Sequence, residues 1–115
     1  MTNQVSLVGG SGIAYAYEPA TIAGPWNNLA GNYAFASLSQ AGRWHVFHVG
    51  ETSGLRDGLA DHPLWPRAAA LGCTHVLVHV NDDGAQARQL ERRDLIEGLR
   101  PPMDREHDPM AVTDA

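Results

Sequence analysis

The chain has no lysine at all: its eight basic residues are arginines, set against thirteen acids for a formal charge of -5. A protein that grips duplex nucleic acid gains much of its affinity by neutralising phosphates with a basic face. This one has little such face to offer, so nucleic-acid binding is expected to be weak. Cysteine is equally scarce. The single Cys73 excludes an intramolecular disulfide and a thiolate zinc site, which needs several cysteines at short spacing; between Gly72 and Thr74 it reads as a small buried apolar residue. No apolar run approaches the roughly 20 residues that cross a bilayer, and the stretch Met1 to Val5 lacks the basic and hydrophobic regions of a secretory signal. The expectation is a cytoplasmic protein with no membrane partner. A length of 115 residues suits one hydrophobic core and not two.

Read for periodicity, the chain divides into alternating strand and helix signals. Ser11 to Tyr17 follows a Gly-Gly-Ser-Gly cluster and reads as a strand or hairpin arm. Glu18 to Asn32 is loop-like, with Trp26 as its expected anchor. Asn32 to Ser39 and Trp44 to Val49, joined by the Gln40-Ala41-Gly42 turn, predict an antiparallel hairpin. After a polar loop over 50–54, Leu55, Leu59 and His62 share one face of a helix that Pro63 ends. A short helix over 64–71 is closed by Gly72. Thr74 to Val80 is a strand with its valines on one face and His75, Leu77 and His79 on the other. Ala85 to Leu99 is a helix, amphipathic through Leu90, Ile96 and Leu99, and Pro101-Pro102 stops it. The pattern predicts an α+β fold: a small, mainly antiparallel sheet of about three core strands plus an N-terminal hairpin, flanked by helices. One domain is expected over 1–103, followed by a flexible acidic tail over 104–115.

The motifs carry a resemblance. Gly31-Asn32-Tyr33-Ala34-Phe35 and His48-Val49-Gly50-Glu51-Thr52 look like the two signatures of the GIY-YIG nuclease superfamily, the second with its Gly-x-Thr tail. Leu55 opens the following helix, and 72–81, Asp94-Leu95-Ile96 and Pro101-Pro102 resemble stretches of small bacterial members. The match runs from about Ser11 to Asp104, and the order of elements agrees with it. In that family a glutamate-held metal ion polarises the scissile phosphate, an arginine neutralises charge, and tyrosine or histidine groups manage protons.

Carried over by position, the resemblance implies catalytic roles for Tyr33, for His48 in place of the second tyrosine, and for His62. It implies ligand contacts for Arg92, Asp104 and Glu51. Two family groups are missing. The arginine position falls on Gly58, and the metal-binding glutamate position, three residues before Leu95-Ile96, falls on Arg92, which cannot bind a cation. Glu91 is adjacent but turned by about 100° around the helix.

Plainer readings stand beside these. Tyr33 also suits a core strand, and His62 a helix C-terminal cap. His75 and His79, at i and i+4 on a strand, lie roughly 13 Å apart, too far for one metal. His45 and His48 are expected on opposite faces. The expectation that follows is a degenerate nuclease-like site, without cofactor, that binds a small anionic molecule and supports metal-independent acid-base chemistry. Two alternatives are a magnesium-dependent endonuclease holding its metal with Glu91 or Asp104, and a non-catalytic protein-interaction module presenting the Trp26 or Trp65 region.

Overall fold

A computed structural model describes residues 4–20 and 28–107. The elements are β1 (Val5–Val8), β2 (Ala14–Ala20), β3 (Gly31–Leu38), β4 (Trp44–Thr52), α1 (Leu55–Leu59), α2 (Trp65–Ala70), β5 (His75–Val80), α3 (Ala85–Leu99) and a terminal 3-10 helix (Pro102–His107). All five strands form one antiparallel sheet in the order β1-β2-β5-β3-β4. The α+β class and the antiparallel pairing agree with the sequence reading. The strand count differs: the N-terminal hairpin is no appendage, because β2 pairs with β5 through Glu18–Val78, Pro19–Leu77 and Ala20–Val76.

Alternation explains the sheet. Val5 and Leu7 are buried while Ser6 and Val8 are exposed, so β1 turns one face inward as a period of two requires. At the β3–β4 turn, Gly42 sits at φ 81 and its N–H donates to Ser39 O at 2.9 Å, a left-handed conformation that glycine adopts without steric cost. Each sheet face packs its own core. Leu95 of α3 meets Val5, Leu7, Tyr17, Ala34, Val46, Val49 and Leu77 on one side. On the other side Tyr33, Phe35, Val76 and Val78 meet Leu55, Leu59, Ala68, Cys73 and Met103. Burial pushes the Cys73 thiol up to about 11, so it packs as a protonated thiol.

Several boundaries move from the sequence expectation. Pro19 lies within β2 and Gly31 opens β3, shortening the expected loop at both ends; Trp26 lies outside the described residues. β4 continues through Glu51 and Thr52, where a polar loop is expected. α1 stops at Leu59, and Asp61 adopts φ 52, so His62 is beyond the helix and is not its dipole cap. The 3-10 helix runs past the expected domain end at 103 and buries Asp104, the first residue of the expected tail; 108–115 fall outside the described residues.

The buried stripe of α3 is Arg88, Glu91 and Leu95, at the helical spacing of i, i+3 and i+7. Leu90 is 55% exposed, not a core residue as its periodicity suggests, because the first turns of the helix cover polar side chains of the sheet. Leu95→Ala is therefore expected to cost about 2–5 kcal/mol, while Leu90→Ala stays within about 0.5 kcal/mol. Urea midpoints distinguish the two, and equal losses would contradict this packing.

Candidate functional site

β4 is an edge strand, and its outer backbone groups need partners. At Val49 both find side chains: the N–H donates to Asp104 Oδ2 at 2.7 Å, and the C=O accepts from Arg92 Nε at 3.2 Å. Just before Val49 the ladder slips. Phe35 pairs with His48, but Ala36 pairs with Val46, so Phe47 is an extra residue and the strand carries a β-bulge. A bulge inverts the inward-outward alternation beyond it. As a result His48 joins His45 on the face of Phe35 and Ser37, correcting the expectation that the two histidines face opposite ways. The bulge is what aims His48 at Tyr33, with ring centroids 5.8 Å apart.

Asp104 fixes the form of that imidazole. Its Oδ1 lies 2.6 Å from His48 Nδ1, and both side chains are buried. A carboxylate accepts, so Nδ1 carries a proton and donates it to Asp104, which leaves Nε2 turned away from that contact. His62 is fixed in the opposite sense. Its Nδ1 accepts from the Leu64 N–H at 3.1 Å, which leaves the proton on Nε2 to donate to Tyr33 Oη at 2.6 Å. The Tyr33 hydroxyl proton is thereby left for a third group. Burial pushes the Tyr33 phenol up to about 12, against a lowering contribution from Arg92. Burial, then the neighbouring His48, holds His62 below the usual imidazole value. Near neutral pH the pair is thus a neutral phenol beside a neutral imidazole.

These groups share a cavity of about 480 Å³ lined by Tyr33, His48, Glu51, His62 and Leu64, with Gln89, Arg92 and Arg93 from α3. Gly50 lets Tyr33 lie across β4: a Cβ there would meet the tyrosine's Cζ and Oη. Glu51 accepts at Oε2 from Arg88 Nε at 3.0 Å. Of the residues singled out by sequence, Tyr33, His48, Glu51, His62 and Arg92 line this one cavity, and Asp104 stands behind His48. Position 58, where the resemblance expects an arginine, is packed against the Thr52 hydroxyl.

Glu91 is elsewhere. It is 4% exposed, and its carboxylate accepts from Tyr17 Oη at 2.6 Å, His79 Nδ1 at 2.8 Å and Asn81 Nδ2 at 3.1 Å. A magnesium ion therefore does not fit these residues as the resemblance would hold it. Arg92 occupies the cavity, the carboxylate beside it in sequence is saturated on another wall, and no three His, Cys, Asp or Glu side chains converge as a metal cage among the described residues.

Sequence reasoning missed that second polar cluster. Tyr15 Oη and Ser11 Oγ both donate to Asp94, and with His79 and Glu91 they line a cavity of about 630 Å³. The available signal was the alternation that puts Tyr15, Tyr17 and His79 on the α3 face. Hydrogen bonding to Glu91 raises His79 above the usual imidazole value. Tyr17 is raised well beyond its ordinary range by burial and then by Glu91.

No family model, characterised protein or solved structure matches the chain.

The two histidines titrate in opposite directions from 6.5. The contribution of His79 to stability is complete below pH 6.5 and is lost as pH rises through its raised folded value. That of His62 is complete above pH 6.5 and is lost as pH falls through its lowered folded value. Imidazole nitrogen NMR should show His62 as the Nε2–H form and titrating below His79. The reverse order would contradict the hydrogen bonds described.

Proposed function

We propose that this cavity binds a small molecule through an anionic group, a carboxylate by preference, and moves a proton on it without a metal ion. The observation that carries the reading is Arg92. Its Nε is used on the Val49 carbonyl, its terminal nitrogens meet no acceptor among the described residues, and it lines the same cavity as Tyr33, His48 and His62. A guanidinium anchored by one nitrogen presents the others as a preorganised fork for a carboxylate.

The proton-handling groups suit this anchor. His48, held by Asp104 through Nδ1 and lining the cavity, serves in this reading as the base through Nε2. Tyr33, accepting from His62 and keeping its own proton, is the donor that meets negative charge as it develops. Asp104 acts through His48 and so is a positioning residue. The order strand, strand, helix, helix, strand, helix from β3 to α3 supports reading the scaffold as GIY-YIG-like, with the nuclease-specific groups replaced. The negative charge and absence of lysine weigh against a phosphodiester polymer as substrate.

Binding raises the melting temperature by mass action. At ten times Kd the gain is about 1.4 kcal/mol, several degrees for a domain of this size. Acetate, succinate and inorganic phosphate are the first probes. Arg92→Ala should weaken binding about 10- to 100-fold, the usual loss for a charge-assisted hydrogen bond, and Tyr33→Phe less. If neither substitution changes binding, the reading is wrong. Magnesium-dependent plasmid nicking abolished by Glu91→Ala would favour the endonuclease instead. A stable protein partner with no small-molecule effect on melting would favour an interaction module.

A further inference from the structure

We propose that the ligand is a small zwitterion of the amino-acid type, its carboxylate on Arg92 and its ammonium on Glu51; this rests on the anion-binding reading above and deepens it. Two rungs join α3 to the end of β4. Arg92 Nε donates to Val49 O at 3.2 Å, and Arg88 Nε donates to Glu51 Oε2 at 3.0 Å. The arginines are one helical turn apart, about 6 Å, and Val49 and Glu51 are two strand residues apart, about 7 Å. The cavity wall therefore presents a guanidinium and a carboxylate at a spacing set by regular secondary structure. The carboxylate and ammonium of an α-amino acid share one carbon. A hydrogen bond of about 2.8 Å at each end extends that short span to the spacing of the rungs.

Glu51 is the group that a site for a plain anion would leave out, because a carboxylate beside the guanidinium repels a second anion. Here it is held in place. Arg88, its side chain 8% exposed, holds one Glu51 oxygen and steadies itself on Asn81 O at 3.4 Å. Oε1 of Glu51 has no partner among the described residues, and Glu51 lines the cavity. Since Arg88 already balances the charge of Glu51, recognition of the ammonium runs through a charge-assisted hydrogen bond at Oε1 more than through a long-range field. Arg88 is a positioning residue for this contact. Leu64 supplies the apolar wall against which a ligand side chain can lie.

The test uses the full chain and two size-matched series differing in one substituent: L-alanine, L-lactate and propionate, then L-phenylalanine, L-phenyllactate and 3-phenylpropionate. Calorimetric titration and melting temperature read the binding. The amino acid should bind at least tenfold more tightly than the carboxylate lacking its ammonium. Glu51→Gln should remove that advantage without weakening the carboxylates, and Arg92→Ala should weaken every member. If the carboxylate or the hydroxy acid binds as tightly as the amino acid, the zwitterion is wrong while the anion site stands. If nothing binds at about 10 mM, where even a millimolar site fills, both readings fall. The wild-type series decides these outcomes even if Glu51→Gln does not fold.

Discussion

The site depends on how the open edge of β4 is closed. An unpaired strand edge exposes amide groups to other chains, and proteins cover such edges with side chains, bulges or loops. At Val49 the covering groups are Asp104, from the 3-10 helix after α3, and Arg92, from α3 itself. Each does a second job in the cavity. The other oxygen of Asp104 accepts from His48 Nδ1, and Arg92 lines the cavity beside it. Closing the edge and shaping the cavity are thus one arrangement.

The backbone supports this with two local departures from a regular hairpin. The bulge at Phe47 turns His48 onto the tyrosine face, and Gly50 leaves the space that the Tyr33 ring fills. A continuous ladder would send His48 to the α3 side, where Ala34, Val46 and Leu77 offer an imidazole no polar partner. α3 then divides the molecule. Consecutive residues on a helix diverge by about 100°, so Glu91 enters the cluster of Tyr17, His79 and Asn81 while Arg92 reaches the opposite cavity.

That division explains what could be read from the sequence. Strands β3 and β5 and the span of α3 follow from periodicity and turn residues, and Tyr33, His48, His62, Glu51 and Arg92 are drawn to one place by motif order. The bulge is invisible because one extra residue leaves no compositional mark. His62 leaves its helix because Asp61 takes a positive φ, which residue type alone does not announce. Leu90 misleads, since hydrophobic periodicity assumes that a helix covers an apolar surface, and the first turns of α3 cover Asn32, Tyr17 and His79 instead. Asp104 seemed the start of a tail because its burial depends on contacts with β4, more than fifty residues away in sequence.

Two histidine–carboxylate pairs result, and their surroundings separate them. His79 faces Glu91, with Asp82, Asp83 and Asp94 around the same cavity and no arginine lining it among the described residues. Hydrogen bonding to Glu91 raises His79 above the usual imidazole value, so a proton held between the two adds to cohesion. Across the sheet, Arg92 and Arg93 share a cavity with His48 and His62, and burial together with His48 holds His62 neutral. An imidazole accepts a proton only while it is neutral. On the acidic side the His79–Glu91 contact ties α3 to the sheet, while the arginine-lined cavity holds His62 as a neutral ring bonded to Tyr33 and to the Leu64 N–H.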